Sequence, residues 1–517
     1  MPDAARPFQK LAGKSWLDRT LSLFTEVHAG EGTTAVLMLL NIFLLLICYS
    51  VIKIVREPLI LLGGGAEVRS YAAAGQALVL MAYVPFYGWF ASRVDRVKLL
   101  VGVTLFFVTC IELFALAVAA RVPYVGVAFF IWVGIFNISL IAQFWSFAND
   151  IYAKEAGDRL FPTIMIGMTA GAPIGSLVAG ELFGMGFTPQ LILQISAVLL
   201  LATLGLYLVV NAREARRTAA PPARLAASGG FELVFRSPYL RLVALLIVLL
   251  NVVNTTGEYL IARLLTRHVE ELAALDPGFN SQAYIGAFFG SYQLWVNVTA
   301  LVLQAFVASR LVKYFGLRGA LLALPLIALG GYTTIAAGAG FALVRWIKTA
   351  ENATDYSIMN TARQLLWLPT SREEKYKAKQ AIDTFFTRGG DVLSAAVVYF
   401  GAMRMGISGF AATNVVLTLI WIAVALMILR RHQALVRLAP GLVAGLLLLL
   451  FTAPAHARQA REEHVSQSVV DVRVGFERLR GALKKESGLG DGPLLDAVRD
   501  GLIDPGAGLL AAVSGRR

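Results

Sequence analysis

Apolar runs long enough to cross a lipid bilayer recur along this chain and leave few other folds open to it. A helix needs roughly 20 apolar residues to cross a hydrocarbon core of about 30 Å. Hydrophobic residues make up 57% of the 517 residues and charged residues only 15%, which excludes an ordinary soluble domain. Because backbone polar groups must be satisfied within lipid, the runs predict an all-α polytopic membrane protein. We assign twelve spans: 35–54, 71–90, 99–120, 124–147, 160–182, 189–210, 240–260, 285–307, 320–337, 341–368, 381–402 and 411–429.

Basic residues in the connections between the spans predict the orientation. Lys and Arg concentrate in the N-terminal arm, in the even-numbered connections and in the turn after span twelve. Because cytosolic loops carry the excess of basic residues, we predict a cytosolic N-terminus. The net charge of +13 then reflects membrane topology and anionic lipid rather than nucleic-acid binding.

An internal repeat relates the two halves of the chain. The connections after spans two and eight both begin Ala-Ser-Arg, at Ala91 and Ala308, and those after spans four and ten show a similar offset. Two six-helix halves with a site between them at mid-depth characterise the major facilitator fold. The basic connections after spans two and eight are predicted to act as cytosolic gates through Arg93, Asp95, Arg96, Arg310 and Lys313.

The repeat also predicts the domain organisation. A short apolar segment after span twelve is either a thirteenth crossing or an interfacial helix, because its apolar core, 438–451, is short for a span. The predicted units are a cytosolic N-terminal arm (1–32), an N-terminal half (33–210), a cytosolic linker (211–238), a C-terminal half (239–430), the extra apolar segment (431–457) and a polar tail (458–517).

Span ten contains an unusual number of ionisable residues. At 100° per residue, most of its polar residues fall on one stripe of a helix. Charges at membrane depth are costly unless they face a bundle interior or a wet cavity, so the stripe predicts a binding site or transport pathway. The alternative, compatible with the first, is a structural lock in which Lys348 pairs with Glu351 or Asp355. The candidate residues are Arg345, Lys348, Glu351, Asn352, Asp355, Asn360 and Arg363.

Other spans place polar residues where a central cavity would collect them. The end of span one carries three ionisable residues that either face the cavity or extend toward the membrane interface. The polar end of span four either caps its helix or contributes to the cavity, and a lone acid in span seven predicts a functional role. Glycines 167, 171, 175 and 180 in span five form a ridge that predicts close helix packing. The further candidates are Lys53, Arg56, Glu57, Asn149, Asp150, Glu258, Asp383, Arg388 and Asp391.

Three ordered motifs give the membrane unit a family resemblance. They are Tyr49-Ser-x-x-Lys-x-x-Arg-Glu57, Phe144-Trp-x-Phe-Ala-Asn149 and the run from Asp355-Tyr-Ser to Arg388-x-Gly390. Together they resemble the ATP/ADP antiporters of plastids and obligate intracellular bacteria. The resemblance implies a bacterial inner-membrane protein that exchanges nucleotides by alternating access, with cavity cations that bind phosphates.

The sequence departs from this family at two lysine positions, and also early in span four, where the expected acidic residue is Val133 or a close neighbour. Asp355 and Asp391 stand where the resemblance implies lysines. Replacing two cations by two anions in a low-dielectric cavity disfavours a highly charged ligand. The candidate cavity is therefore predicted to be charge-balanced, which suits a less charged nucleotide, another phosphorylated or zwitterionic metabolite, or proton coupling through the carboxylates.

Three classes of function follow from these patterns. The favoured hypothesis is a secondary transporter of a small-molecule substrate. The second is a non-transporting membrane scaffold or sensor that acts through its C-terminal tail. A membrane enzyme is disfavoured because the sequence contains no phosphate-binding glycine loop, nucleophile elbow or metal-spaced His and Cys cluster. We expect no cofactor, no metal and no nucleic-acid partner.

Overall fold

The computed structural model describes residues 15–22, 25–91, 93–94, 96–152, 154–214, 230–371 and 374–452, and within these ranges it is helical with no β-strand. The side chains beyond residue 435 and a few others lie outside the description. The α-helices are α1 (Trp16–Leu21), α2 (Glu31–Ala91), α3 (Arg96–Ala119), α4 (Val125–Ile151), α5 (Lys154–Gly184), α6 (Pro189–Glu214), α7 (Gly230–Arg236), α8 (Pro238–Leu275), α9 (Ser281–Val302), α10 (Ser309–Ala336), α11 (Phe341–Thr354), α12 (Asn360–Leu366), α13 (Lys379–Ala381), α14 (Thr387–Gly401) and α15 (Ile407–Thr452).

Eight helical stretches in the described ranges are long and apolar enough to cross a membrane. Two of them contain 57 and 56 residues, which is about twice the length that one crossing requires. Each bends at a glycine with non-helical backbone angles, Gly65 (φ 73°, ψ −172°) in the first and Gly316 (φ 61°, ψ −157°) in the second. These stretches therefore accommodate the predicted spans one and two, and spans eight and nine. The protein is an integral multi-pass membrane protein.

Spans ten and eleven are too polar to be among those eight stretches, and neither is one regular α-helix. A π-helical turn, Asp355–Met359, separates α11 from α12, and two more, Glu374–Ala378 and Ile382–Phe386, flank α13. Span ten is therefore not one regular α-helix, although Arg363 after the π-turn still lies 3.3 Å from Asp355, where the turn begins. A π-turn accommodates an extra residue, so helical periodicity of 100° per residue does not hold across it.

The glycine ridge of α5 packs against the first span of α2, as its spacing predicts. A Cβ atom on Gly171 would lie 2.6 Å from the Phe43 carbonyl oxygen, and one on Gly175 would lie 2.8 Å from the Ile47 Cα atom. Farther along α5, a Cβ on Gly180 would lie 3.3 Å from the Cα of Gly290 in α9. Small residues here let the backbones approach closely, so α5 joins the N-terminal helices to the C-terminal helices.

Contacts between the N-terminal and C-terminal helices lie at the end of the bundle that contains the α2 bend, named the Gly65 end below. There Glu67 of α2 accepts a hydrogen bond from the Tyr259 hydroxyl of α8 at 2.8 Å and lies 3.9 Å from Arg263. Two further contacts are formed by close packing. One is the α5–α9 contact at Gly180 and Gly290. The other joins α2 to α14, where the Tyr71 and Tyr399 rings meet edge-on with centroids 6.0 Å apart. The two groups of helices therefore meet at the Gly65 end.

The last described helix extends the chain beyond span twelve. α15 contains 46 residues and continues without a break to Thr452, so the apolar residues 438–451 belong to the same helix as span twelve. The end of the predicted extra segment and the whole predicted tail, 453–517, lie outside the described residues.

Candidate functional site

A cavity of about 190 Å³ lies between the N-terminal and C-terminal helices, next to the Gly65 end. The segments of α2 before and after the Gly65 bend both contribute to it, together with α8, α9, the end of α11 and the π-turn that follows α11. Its lining combines cations, carboxylates, amides and aromatic rings. The lining residues are Lys53, Ile54, Arg56, Glu57, Arg69, Asn254, Glu258, Phe289, Tyr292, Gln293, Asn352 and Tyr356.

The bend in α2 brings a carboxylate and a guanidinium of the same helix together. Glu57 precedes the bend and Arg69 follows it, and Arg69 Nε donates to Glu57 Oε2 at 2.7 Å. Arg56 forms a second ion pair with the same carboxylate, and its guanidinium lies 4.0 Å from the centre of the Phe130 ring. Glu57 is only 3% exposed, so this end of span one lies in the protein interior rather than at a membrane interface.

Glu258 of α8 is the carboxylate at which the N-terminal and C-terminal helices meet. Arg69 Nη2 lies 3.5 Å from Glu258 Oε2. On the other side, Asn352 Nδ2 donates to Glu258 Oε1 at 2.8 Å and Tyr292 Oη at 3.3 Å. Lys348 Nζ lies 3.9 Å from the same oxygen. This one side chain therefore contacts cations from both groups of helices.

Lys348 and Glu351 form a buried pair behind the cavity lining. Lys348 Nζ lies 2.9 Å from Glu351 Oε2, and the Tyr332 hydroxyl donates to Glu351 at 2.9 Å. Lys348 is completely buried. The absence of a side chain at Gly257 makes this approach possible, because a Cβ there would lie 2.6 Å from Lys348 Nζ and would overlap the Tyr332 hydroxyl.

These contacts form one chain of alternating charges that runs through the site. In order, it contains Arg56, Glu57, Arg69, Glu258, Lys348 and Glu351. Buried charges are expensive unless each has a partner of opposite sign and further hydrogen bonds. The positive and negative charges of this chain therefore cancel. Within it, the contact between Arg69 and Glu258 is the one that joins the N-terminal helices to the C-terminal helices.

Lys53 differs from the other cations of the cavity. Its Nζ atom donates to Gln293 Oε1 at 3.1 Å. Among the described residues, no carboxylate oxygen lies within 4.0 Å of it. Lys53 is half-buried at the cavity wall, and its hydrogen-bond partner there is the Gln293 side-chain amide.

Several predicted residues form ion pairs outside the cavity lining. Arg363 Nη2 lies 3.3 Å from Asp355 Oδ1, after the π-turn of span ten. Arg388 Nη1 lies 3.4 Å from Asp391 Oδ2, and Thr255 Oγ1 donates to Asp391 Oδ1 at 3.0 Å. Asp355 and Asp391 stand where the family resemblance implies lysines, and each is thus paired with an arginine from its own span.

The remaining predicted residues do not join the cavity. Arg345 donates to Ser291 Oγ at 2.7 Å and stacks near Phe288, whereas Asn149, Asn360 and Asp383 are exposed and Asp150 is half-buried. Of the predicted gate residues, Arg93, Arg310 and Lys313 are exposed, Asp95 lies outside the described residues, and only the backbone of Arg96 is described.

Sequence reasoning missed seven of the twelve residues that line the cavity. Arg69 falls between the predicted spans one and two, outside the apolar runs from which the spans were assigned. The signal for its inclusion is the triple glycine 63–65, which permits the sharp return of the chain. The uncharged lining residues Ile54, Asn254, Phe289, Tyr292, Gln293 and Tyr356 carried no such signal.

Comparisons with known proteins relate the chain to nucleotide carriers. Residues 190–437 match the family model described as TLC ATP/ADP transporter. ADP,ATP carrier protein 1 of Chlamydia pneumoniae is 22% identical over 303 residues, which cover 49% of this chain and 56% of the carrier. The chain thus spans just over half of that relative. The protein of the same name from Chlamydia muridarum is 21% identical over 75% of this chain and 83% of its own length.

Solved structures with the same fold are transporters. A bacterial homologue of the iron transporter ferroportin, in an inward-facing state, aligns with a TM-score of 0.57 at 14% identity, over 77% of this chain and 98% of its own. The nucleoside transporter NupG, as its D323A mutant, aligns with a TM-score of 0.55 at 14% identity, over 77% and 99%. The predicted resemblance is confirmed: this chain is similar to the TLC ATP/ADP transporters over residues 190–437, and it has the major facilitator fold of secondary transporters.

Proposed function

We propose that this protein is a secondary active transporter that moves a nucleotide, or a related phosphorylated or zwitterionic metabolite, by alternating access. The observation that carries the proposal is the charged cavity between the two groups of helices, whose walls come from both groups. Membrane transporters of this fold bind substrate between their two halves. We further propose that the protein lies in a bacterial inner membrane with a cytosolic N-terminus, since basic residues concentrate in the corresponding connections.

The contact between Arg69 and Glu258 suits a gate of such a transporter. The two halves, 33–210 and 239–430, would separate at the Gly65 end when the cavity opens there. Opening would break the 3.5 Å contact between Arg69 and Glu258 while leaving the Glu57 pair within the N-terminal half and the Lys348 pair within the C-terminal half. Opening would also break the 3.9 Å ion pair between Arg263 and Glu67 and the 2.8 Å hydrogen bond from the Tyr259 hydroxyl to Glu67. The shorter ion pairs, Arg69–Glu57 and Lys348–Glu351, would persist, which limits the energetic cost of opening.

The cations of the cavity support an anionic substrate. Lys53, Arg56 and Arg69 line the cavity, and aromatic rings of Phe289, Tyr292 and Tyr356 offer stacking surfaces beside them. Cations that bind phosphates and aromatic rings that stack on bases are a common combination in nucleotide recognition. The Chlamydia relatives are named ADP,ATP carriers, which makes adenine nucleotides the first substrates to test.

Proton coupling is a second mode that the same cavity allows. Glu258 lines the cavity and also contacts cations of both helix groups, so a change in its charge would alter the contact between them. Exchange and proton symport differ in one measurable respect. Uptake by symport requires a proton gradient, whereas exchange requires substrate on the opposite side of the membrane.

Counterflow in proteoliposomes tests the proposal. Vesicles preloaded with ADP are expected to take up labelled ATP or ADP in a saturable manner, and empty vesicles are not. A pH gradient applied with and without a protonophore separates exchange from proton coupling. Folded protein that takes up neither nucleotide under any of these conditions would refute nucleotide transport. Truncation after residue 452 tests the alternative function of a non-transporting scaffold or sensor. Under that alternative, removing the tail would abolish the cellular phenotype of the protein, and substitutions in the cavity would leave the phenotype unchanged.

A further inference from the structure

The charges of the cavity wall do not cancel completely. The lining contains the three cations Lys53, Arg56 and Arg69 but only the two carboxylates Glu57 and Glu258. Glu57 pairs with Arg56 and Arg69, and Glu258 lies near Arg69. One positive charge therefore remains among the described lining residues, and the geometry assigns it to Lys53.

The residues behind the lining do not change this balance. Lys348 pairs with Glu351 at 2.9 Å, so this buried pair adds no net charge. Farther out, Asp355 pairs with Arg363, and Asp391 pairs with Arg388. Arg345 lacks a carboxylate partner in the described ranges but is not part of the lining, and it bonds to Ser291. Lys53 is thus the lining cation whose charge is left for a ligand.

The surroundings of Lys53 favour binding of an anionic group. A partly buried ammonium that lacks a carboxylate is poorly compensated, because a neutral amide such as Gln293 offsets only part of the desolvation cost. An incoming anion supplies the missing charge. The cavity, about 190 Å³, is smaller than the roughly 300–1,000 Å³ of common small-molecule sites, so it accommodates an anionic group and its neighbouring atoms rather than a whole triphosphate chain.

We propose that the cavity selects a substrate whose bound part carries a single negative charge, and that Lys53 is the specificity-determining residue that binds it. This inference rests on the proposed transport function and narrows its substrate class. It predicts that monoanions bind better than the more highly charged nucleotides. It also predicts that selectivity follows the charge balance of the lining rather than the presence of Lys53 alone.

The substitution Gln293→Glu tests the charge balance directly. It is nearly isosteric, and it places a carboxylate next to the Lys53 ammonium, so the net positive charge disappears while Lys53 stays in place. Gln282→Glu is a matched control, since it adds the same charge to the first turn of the same helix, about 16 Å away along its axis. Lys53→Gln removes the charge, and Lys53→Arg retains it.

Thermal stabilisation of purified protein by adenosine, cyclic AMP, AMP, ADP and ATP gives the affinity for a neutral compound, a monoanion and three higher anions with one base. The wild type, Gln282→Glu and Lys53→Arg are expected to bind cyclic AMP best. Gln293→Glu and Lys53→Gln are expected to bind it about tenfold to a hundredfold more weakly and to bind adenosine about as well as cyclic AMP. Stabilisation by inorganic phosphate, at constant ionic strength, is measured in parallel as a probe that needs no base.

The outcomes separate the charge inference from the transport proposal. If ADP or ATP binds the wild type best and Gln293→Glu has no effect, nucleotide recognition stands and the charge inference is overturned. If no adenine compound binds, yet phosphate stabilises the wild type and Gln282→Glu but neither Gln293→Glu nor Lys53→Gln, nucleotide transport is refuted and the anion site at Lys53 is supported. If neither adenine compounds nor phosphate stabilise the wild type, both are overturned.

Discussion

Arg69 Nε donates to the Glu57 carboxylate at 2.7 Å although the two residues lie on opposite sides of the bend in a single helix. The sequence separation is twelve residues, and an unbroken α-helix would place the residues about 18 Å apart along its axis. The bend at Gly65, with its positive φ of 73°, lets the chain return on itself. The same bend thus ends the first membrane crossing and creates the charged wall of the cavity.

Loss of Arg69 is expected to destabilise the protein strongly. In Arg69→Ala, the buried carboxylate of Glu57 keeps only Arg56, and Glu258 loses its contact with the N-terminal helices. Breaking a buried ion pair costs about 3–5 kcal/mol of unfolding free energy. Arg267→Ala is the control, because Arg267 pairs with Glu271 on an exposed surface and should cost less than about 1 kcal/mol. Denaturant unfolding in detergent measures both, and equal effects would contradict the structural assignment.

Substitutions at Lys348 distinguish a structural lock from a transport role. Lys348→Met leaves the Glu351 carboxylate buried without its cation and should cost about 3–5 kcal/mol of unfolding free energy. Adding Glu351→Leu removes the uncompensated charge, so the double variant should recover most of that stability. If Lys348 also acts through Glu258, the stable double variant will still show reduced counterflow. Normal counterflow in the double variant would indicate that the pair is only a lock.

A methyl group at Gly257 is expected to disturb the buried pair through sterics alone. The added Cβ of Gly257→Ala would lie 2.6 Å from Lys348 Nζ and overlap the Tyr332 hydroxyl. Overpacking of this kind costs about 1–3 kcal/mol. Gly205→Ala in α6 is the matched control, because no atom lies within 4 Å of its Cβ and helix propensity favours Ala by up to about 1 kcal/mol. Thermal melting of the two variants should therefore shift in opposite directions.

Cross-linking the Gly65 end is expected to stop transport. Tyr71 of α2 and Tyr399 of α14 meet with ring centroids 6.0 Å apart, so cysteines at both positions should react with a short bifunctional thiol reagent. Cys48 and Cys110 are free and would first be replaced by Ala. Because alternating access requires this end to open, a reducible cross-link should abolish counterflow and reduction should restore it. Full activity in the cross-linked protein would refute opening at this end.

The N-terminal arm is expected to lose stability in acid through Asp18. Burial raises the pKa of this carboxyl, but hydrogen bonds from Gly30, Ser15 and Gly32 outweigh burial and hold the pKa below its usual range. A lowered folded-state pKa contributes stability that is present above the ordinary value of about 3.9 and is lost as the pH falls through the lowered pKa. Asp18→Asn should therefore destabilise the arm by about 1 kcal/mol at neutral pH and have little effect in strong acid.

Limited proteolysis at two pH values measures this difference. The control is Glu232→Gln, because Glu232 belongs to an exposed pair with Arg236 at 3.8 Å and should have little effect at either pH. If Asp18→Asn were still cleaved faster than the wild type at a pH below the lowered pKa of Asp18, the destabilisation would not depend on the carboxylate charge, and the prediction would be wrong.

The sequence by itself determined the membrane class, the apolar helical stretches other than spans ten and eleven, and the packing role of the α5 glycines. Each depends on local information, since a crossing needs a run of apolar residues and a ridge needs a helical repeat of small ones. The motifs around Lys53, Asn149 and Asp355 likewise indicated the family resemblance, because a resemblance of this kind needs no knowledge of contacts.

The tertiary structure alone decided which charges meet. The sequence placed Arg69 outside the spans, whereas the bend at Gly65 returns it to the cavity wall. The sequence also treated span ten as one regular helix, which the π-turn at Asp355–Met359 interrupts. Arg69 and Glu258 are 189 residues apart in the sequence, and such an ion pair depends on how their two helices cross. Helical periodicity gives the direction of a side chain from its own axis only. The lack of a carboxylate partner for the lining cation Lys53, among the described residues, could therefore not be identified before the helices were packed together.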